Sequence, residues 1–361
     1  EALRKMDTIP VSINCWQLDD LTGFEDFDAA LTGGIAATGN APGKPRSVEE
    51  YFVSLDKMLS LVPGAKHLAL HAVYPLTNGV KVPRNEIRPE HFAGWVDYAR
   101  EKGIGLDFNP TYFSHPMLRD NWTLASPEKE VRDFWVQHGI ACRKIGEYFG
   151  RELGEVCITN HWIPDGSKDT RVDTLGPRER LVESLDRIFA EIDRRFDVSR
   201  DAEVTLEANP DSVTLPMLTR LRRSGFNRIS IGVQSDSDEQ LKALGRPHNY
   251  KQAQQAVMLA RRAGFDNISV DLMFGLPNQS REQWMQTLRN IIDLKTEHIS
   301  CYGLKVEPGT RLWEYKDCAN LPDDDAQADM YFYAVETLEE FGYHQYEISN
   351  FAKDGYVCRH N

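Results

Sequence analysis

The strongest constraint on the fold is a regular alternation of short apolar segments with amphipathic helical segments. Eight candidate strands lie at 11–16, 66–74, 104–110, 155–163, 202–207, 227–233, 267–274 and 298–304. Apolar residues at helical spacing follow most of them, as at 49–62, 128–150 and 250–263. This order is typical of βα units around a parallel sheet. Eight units predict an α/β fold of the (β/α)8 TIM-barrel-like type; an open sheet and two half-barrels are the alternatives.

The overall charge and hydropathy of the chain narrow the classes of partner. Its 361 residues carry a formal net charge of -13, which argues against a general nucleic-acid or anionic-membrane partner. No run of about 18 apolar residues is present, so no membrane span is predicted. The first ten residues lack the apolar region of a secretory signal. The chain starts at Glu1 and stops at Asn361 without a closing element, so we expect a fragment cut at both ends.

The cysteines are too widely spaced to form a local metal motif. They stand at positions 15, 142, 157, 301, 318 and 358, and no CxxC or CxxxC pair exists. This spacing argues against a zinc site or a sequence-local iron–sulfur site, and small buried hydrophobic residues are the simpler interpretation. Scattered cysteines in an acidic, enzyme-like chain predict a reducing cytoplasm.

Polar residues follow several of the predicted strands, where the chemistry of a barrel is found. Because active sites of such barrels lie at the carboxyl ends of the strands, one rim is expected to hold His71, Asn109, His115, Trp162, Glu207, Gln234, Asp271 and Tyr302. The Gly-rich loop at 31–44 lacks the GxxxxGK[ST] spacing of a phosphate loop, and GxGxxG is absent from the chain. That loop is expected to lie on the surface, where it could fold over a site.

The first half, residues 1–191, resembles L-rhamnose isomerase. The resemblance rests on VSINCWQLDD, LTGGIAATGNAPGK, HLALHAVY, GLDFNPTYFSHP and NHWIPDGSKD. It implies a (β/α)8 barrel that converts L-rhamnose to L-rhamnulose with two divalent metals, usually manganese, held by Glu, Asp and His. A hydride shift between C1 and C2 needs both sugar oxygens polarised, which such cations achieve. The family's metal ligands lie on later strands, beyond residue 191, so no metal residue is assigned here.

By this resemblance, the chain retains only those residues of the pocket that line the sugar. Its candidates are His71, Asn109, His115 and Trp162. Trp162 is favoured because aromatic faces stack on sugar rings. Each of the four could instead be a buried residue with a purely structural role.

The second half, residues 192–361, resembles the oxygen-independent coproporphyrinogen III oxidase-like radical SAM proteins, the group that includes the heme chaperone. The resemblance rests on EVTLEANPDSV, NRISIGVQS, LKALGRPH, DNISVDLMFGLP, HISCYGLKVEPGT and YEISNFAKDGYVCRHN. It implies a [4Fe–4S] cluster that binds S-adenosylmethionine and cleaves it reductively in porphyrin- or heme-related chemistry.

Four positions of the family's S-adenosylmethionine site fall on Glu207, Gln234, Arg246 and Asp271. A carboxylate at a strand end can accept hydrogen bonds from ribose hydroxyls or an amino group, and Arg246 can face the methionine carboxylate. Helix capping or a rim ion pair is the alternative for the two carboxylates. The family's CxxxCxxC loop precedes the point where this half begins, so cluster ligands are expected to be missing. His360 begins the motif linked to heme binding.

These resemblances predict an in-frame fusion of two incomplete enzymes, four βα units from each of two barrel families, joined at about 190–196. Neither active site is expected to be complete, and the chain is expected to be inactive. A misjoined coding sequence, a genuine fusion that binds S-adenosylmethionine or heme without catalysis, and a residual isomerase remain open. The expected substrate is a sugar or a tetrapyrrole.

Overall fold

The computed structural model describes residues 11–15, 24, 48–165, 173, 175–195, 201–306, 311–314 and 318–359. The chain forms two compact units, Glu1–Asp197 and Val198–Asn361. The Gly-rich loop at 31–44, Trp16 and His360 lie outside the described residues.

The first unit is a small parallel α/β assembly. Its elements are β1 (Val11–Asn14), α1 (Val48–Leu61), β2 (Lys66–His71), α2 (Ala93–Lys102), β3 (Gly105–Asn109), α3 (Lys129–Leu153) and α4 (Gly176–Arg195). The three strands form one parallel sheet in the order β1-β2-β3. A 3-10 turn at Pro89–Phe92 precedes α2, and Pro89 fits its first position because the amide hydrogen it lacks would have no partner there.

Aromatic side chains dominate the core of the first unit. Tyr51, Trp95 and Phe108 are fully buried, and Trp95 donates its indole hydrogen to the Tyr74 carbonyl at 2.8 Å. Phe108 and Phe149 meet edge to face at 5.5 Å between ring centroids. Burial of several large rings supplies the apolar area that a three-stranded sheet alone lacks.

The strand expected at 155–163 is present only as an extended segment beside β3. The Phe108 amide donates to the Ile158 carbonyl at 2.9 Å, and one isolated parallel bridge joins Thr111 to Trp162. The return bonds come from side chains, since the Ile158 amide donates to Asp107 Oδ1 at 2.9 Å and the Asn160 amide to Asn109 Oδ1 at 3.1 Å. The segment therefore lies where a fourth strand was expected but lacks a regular backbone ladder.

The second unit is a longer α/β run. Its elements are β4 (Thr205–Ala208), α5 (Leu215–Arg223), β5 (Arg228–Gln234), α6 (Asp238–Ala243), α7 (Tyr250–Ala263), β6 (Asn267–Phe274), α8 (Arg281–Ile292), β7 (His298–Gly303), α9 (Arg311–Glu314), α10 (Asp324–Glu340), β8 (His344–Gln345) and β9 (Asn350–Ala352). They build one six-stranded sheet in the order β4-β5-β6-β7-β9-β8. The last two strands, β8 and β9, are short and flank residues 346–349.

Strict alternation gives this sheet one apolar and one polar face. The apolar face buries Ile229, Ile231, Val233, Ile268, Val270, Leu272, Ile299 and Cys301. The polar face carries two rows in register, Glu207–Ser230–Ser269–His298 and Gly232–Asp271–Ser300–Asn350. Helices α7 and α10 contact the strands. The candidate site of this unit lies on the polar face.

The parallel α/β character is confirmed, but the expected closure of one barrel is not found. The strand at 298–304 was expected to pair with the strand at 11–16. That pairing is wrong, because β9 takes the edge of β7 in antiparallel register, with Ile299 opposite Phe351. The described strands therefore form two sheets, which agrees with the alternative of two separate halves. No described helix has the length and apolar character that a membrane crossing needs.

Candidate functional sites

Three candidates of the first unit, His71, Asn109 and Trp162, lie around Thr111 just past the carboxyl end of β3, and His115 lies in the loop that follows. His71 and Asn109 are register partners on β2 and β3. The His71 Nδ1 atom lies 3.3 Å from the Thr111 hydroxyl, and Trp162 bridges to Thr111 through its backbone. Parallel strands end at one edge of a sheet, so the topology brings these side chains together, as the sequence predicted for barrel strands.

Arg84 holds the loop after β3 in place. It is buried, with 1% of its surface exposed, and donates hydrogen bonds to the carbonyls of Thr111, Phe113 and Ser114 at 2.9, 2.6 and 3.0 Å. A planar guanidinium with five donors suits such a cluster of acceptors. Ser114 adopts a φ of 51°, a strained value for a residue with a side chain, and these bonds stabilise it.

The histidines of this rim are uncharged at neutral pH. Burial, with Arg84 as a second cause, lowers the pKa of His71 to about 3 and that of His115 to about 3. His115 stacks on Phe134 at 4.9 Å between ring centroids and accepts a hydrogen bond at Nδ1 from the Met117 amide. Neutral imidazoles can exchange hydrogen bonds with sugar hydroxyls without a fixed charge.

Asn109 and Trp162 have different surroundings. Asn109 is buried, and its side-chain oxygen accepts the Asn160 amide, so it anchors the 155–163 segment. Trp162 is 46% exposed, which leaves much of the indole accessible. Of the four, Asn109 has the clearest structural role, and Trp162 has the exposed surface that stacking on a sugar ring needs.

Sequence reasoning missed two residues of this rim, Arg84 and His138. His138 is fully buried in α3; its Nε2 accepts the Thr111 amide at 3.0 Å, and its Nδ1 lies 2.9 Å from the Arg84 carbonyl. Nδ1 must therefore carry the proton. Neither residue lies at a strand end, which is why the strand-end rule did not select them.

Three candidates of the second unit lie on the polar face of its sheet. Glu207 on β4 lies in register with Ser230 on β5, and Asp271 on β6 lies in register with Gly232. The Ser230 hydroxyl donates to Asp271 Oδ1 at 3.0 Å. Gln234 ends β5 on the same face. The topology thus brings Glu207, Gln234 and Asp271 to neighbouring positions.

The two carboxyl groups influence each other. Partial removal from water and repulsion from Asp271 raise the pKa of Glu207 to about 7, and the positive charge of Arg228 acts in the opposite direction. Burial also raises the pKa of Asp271, while hydrogen bonds from Ser300 and Ser230 and the charges of Arg228 and Arg246 oppose this shift. The Glu207 side chain is nevertheless exposed, so solvent screens part of this upward shift in its pKa.

The backbone beside these carboxyl groups is strained. Gln234 has a φ of 69°, and the register shifts between Gly232 and Gln234. Left-handed backbone at a residue with a side chain costs about 1–3 kcal/mol and is common at functional sites. A Cβ atom at Gly232 would lie 2.9 Å from Gln234 Nε2, so any larger residue there would displace the end of the Gln234 side chain.

Arg246 lies further from the strands than the other three. It follows α6, and its half-buried side chain acts on both Asp271 and His248 through its charge. His248 is buried and its Nε2 lies 3.1 Å from the Val233 carbonyl, which places this loop over the end of β5. Arg246 is thus near the acidic pair without a described salt bridge to it.

Cysteine positions in the second unit do not form a cluster site. Cys301 faces the apolar side of the sheet, where burial raises the pKa of its thiol; Cys318 is exposed; Cys358 lies 3.3 Å from Glu203 Oε1. Across both units, no group of three His, Cys, Asp or Glu residues in the described ranges could hold a metal ion. The described residues therefore do not fit either a manganese pair or an iron–sulfur cluster.

Comparisons with known proteins match the two parts of the chain to two different families. The family model of L-rhamnose isomerase (RhaA) matches residues 1–205, and that of the radical SAM superfamily matches residues 168–291. L-Rhamnose isomerases of Listeria monocytogenes (serotype 4a) and Mannheimia succiniciproducens are 54% and 56% identical over 197 residues, which cover 54% of this chain and 47% of each relative. The chain thus spans about half the length of the curated relatives it matches.

Among solved structures, coproporphyrinogen III oxidase from Escherichia coli, a radical SAM enzyme, is similar at 27% identity with a TM-score of 0.44, covering 48% of this chain and 40% of that one. An archaeal Elp3 from Methanocaldococcus infernus is similar at 18% identity with a TM-score of 0.41, covering 68% and 49%. The isomerase family model covers more than half of the 361 residues. Through residues 1–205 the chain belongs to the L-rhamnose isomerase family, and through residues 168–291 it also resembles the radical SAM superfamily.

Proposed function

We propose that the chain is an in-frame fusion of two partial enzymes and that its retained activity is binding of S-adenosylmethionine by the second unit. The proposed domains are 1–191, from an isomerase barrel, and 192–361, from a radical SAM barrel. Each would supply four βα units, with the extended 155–163 segment as the fourth strand of the first. The join would lie at about 190–196, within and just after α4 (Gly176–Arg195).

The observation that carries this proposal is the acidic pair beside a strained strand end. Glu207 and Asp271 share one polar face, and Gln234 has left-handed backbone next to them. Carboxylates there can accept hydrogen bonds from ribose hydroxyls or the ligand's amino group, and Arg246 can face its carboxylate. These roles follow the family resemblance residue by residue.

Turnover is not part of the proposal. Reductive cleavage needs an electron from an iron–sulfur cluster, and isomerisation needs divalent cations. The described residues contain no group of three His, Cys, Asp or Glu that could hold either of them. The rim around Thr111 would retain only sugar-lining side chains, of which Trp162 is the stacking candidate. The alternative to S-adenosylmethionine binding is heme binding through His360. The protein is expected to be cytoplasmic.

Isothermal titration calorimetry with S-adenosylmethionine tests the binding proposal. Asp271→Asn removes one carboxylate while keeping its shape, so we expect the Kd to rise about 10- to 100-fold, the size of a lost hydrogen bond to a charged group. Glu239→Gln, on the exposed side of α6, is the matched control and should bind like the parent. Equal affinity of Asp271→Asn and parent would exclude this site.

A second assay addresses the sugar chemistry. With manganese and L-rhamnose, the purified protein should form no L-rhamnulose above background, because no described group of carboxylates and histidines can hold the cation pair. A metal-dependent rate abolished by His71→Ala would instead support a residual isomerase.

A further inference from the structure

The polar face of the second sheet contains a buried arginine that the proposed function does not use. Arg228 is the first residue of β5, with Thr205 and Asn267 as its register partners on β4 and β6. Only 3% of its surface is exposed. It lies two residues before the row of Glu207 and Ser230, and six residues before Gln234 on the same strand. Its position is therefore deeper on the face than the strand-end candidates.

The guanidinium of Arg228 has no bonding partner among the described residues. No hydrogen bond or salt bridge joins it to a described side chain or carbonyl, and its Nε is fully buried and unpaired. The buried Arg84 instead donates to three carbonyls, and Arg261 lies 2.6 Å from Glu297. A buried guanidinium nitrogen without a hydrogen-bond partner is unfavourable, and the Nε atom of Arg228 is in that state among the described residues, so a ligand that accepts its hydrogen would stabilise it.

The nearby acidic groups do not act as that partner. Glu207 and Asp271 feel the charge of Arg228, but neither lies within salt-bridge distance in the described structure. Asp271 is instead engaged by the Ser230 hydroxyl. On the neighbouring strand, the Oδ1 atom of Asn267 is also buried and unpaired. The donor Nε of Arg228 and the acceptor Oδ1 of Asn267 therefore both lack partners, at residues that are paired in register on neighbouring strands.

We propose that Arg228 anchors a binding subsite for a small carboxylate-bearing molecule, with Asn267 accepting a hydrogen bond from a donor on the same molecule. A carboxylate is planar and matches the guanidinium fork with two parallel hydrogen bonds. It also brings one negative charge, whereas a phosphate dianion would be repelled more strongly by Glu207 and Asp271. This subsite is distinct from the proposed role of Arg246 and does not rest on binding of S-adenosylmethionine.

Nuclear magnetic resonance of arginine side chains tests the subsite in the intact protein. Sodium acetate is titrated into 15N-arginine-labelled protein at constant ionic strength, without S-adenosylmethionine, and Arg228→Lys assigns the Nε–H signal. We expect a saturable shift of that signal with acetate and little shift with sodium chloride. No shift, or the same shift with chloride or inorganic phosphate, overturns the carboxylate subsite.

Thermal unfolding of two arginine variants separates acetate binding at Arg228 from a purely structural role of this buried side chain. Acetate should raise the thermal midpoint of the parent and of Arg223→Lys, an exposed control on α5, but not that of Arg228→Lys. Loss of the acetate effect in both variants would contradict the assignment to Arg228. If Arg228→Lys does not fold, the titration of the parent protein decides the question, with the Arg228 signal assigned by backbone-to-side-chain correlation.

Discussion

Glu207 makes the second unit sensitive to pH near neutrality. Partial removal from water and then repulsion from Asp271 raise its pKa from 4.5 to about 7; because the side chain is exposed, solvent screens this effect and the change in stability is modest. An acid whose folded-state pKa is raised binds more protons folded than unfolded between these values. The free energy of unfolding should therefore fall as pH rises from about 4.5 through 7.

Glu207→Gln should flatten that part of the stability curve, because the amide does not titrate. Thermal midpoints measured at intervals between pH 4.5 and 8 provide the comparison, with Glu239→Gln as an exposed control. A curve for Glu207→Gln that is as steep as the parent's would assign the pH dependence to another group, with Asp271 the first to test.

His138 illustrates how much one side chain supports the rim of the first unit. It accepts the Thr111 amide and donates to the Arg84 carbonyl, both buried. His138→Leu leaves these two groups unsatisfied, at about 1–3 kcal/mol each. We expect urea unfolding to show a loss of roughly 2–4 kcal/mol in total. His344→Gln, at an exposed position, should leave the free energy of unfolding close to that of the parent. Comparable losses in the two variants would contradict the role given to His138.

The candidate residues at strand ends could be predicted because parallel strands finish at a common edge, as His71 and Asn109 do. Arg84 and His138 could not, since their roles depend on how a loop and a helix pack against that edge. Arg228 had a usable signal: in the sequence RISIGVQ, residues 228, 230, 232 and 234 alternate with buried aliphatic residues. Period-two alternation places Arg228 on the polar face, at the beginning of the strand and not at its end.

At the scale of elements, the Asp107 carboxylate contributes to holding the 155–163 segment beside β3. Asp107 accepts hydrogen bonds from the Ser12 hydroxyl at 2.6 Å and from the Ile158 amide at 2.9 Å, and lies 3.2 Å from His67. The side chain thus connects β1, β2 and the extended segment to β3. It takes the place of the missing backbone ladder.

Asp107→Ala should release the 155–163 segment while leaving β2 and β3 paired through their backbones. We expect amide hydrogen exchange at Ile158 to accelerate about 10- to 100-fold, the effect of one lost hydrogen bond to a charged group. Asp97→Ala, on the exposed side of α2, serves as the control. Unchanged exchange at Ile158 would show that packing, and not Asp107, holds the segment.

The elements that the sequence predicted less well are those with little local signal. Helix α7 begins with a capping box of Asn249 and Gln252 and ends at Gly264 with a φ of 95°, so its bounds could be read from the sequence. Strand β9 has three residues, too few for a periodic pattern, and its antiparallel direction depends on a turn at 346–349. The closed barrel was therefore inferred from a count of strands that ignored this one.

At the scale of the whole molecule, each unit has its own sheet and its own core. Trp95 in the first and Trp284 in the second are both fully buried, and each donates its indole hydrogen to a backbone carbonyl. Replacing a buried tryptophan by alanine costs about 3–5 kcal/mol. We expect calorimetry to resolve two transitions, with Trp95→Ala lowering one and Trp284→Ala lowering the other. A single transition lowered equally by both variants would show that the two cores unfold together.

Strand β9 is synthesised after the other strands of its sheet, and this order affects how the second unit folds during synthesis. Parallel strands β4 to β7 can pair in the order in which they leave the ribosome, each after its own crossover helix. The edge of β7 stays open until residues 350–352 have been synthesised and can turn back onto it. During that interval the nascent chain presents an unpaired edge, a surface that favours association with other chains. Chaperone demand during synthesis should therefore be greatest just before the last strand emerges.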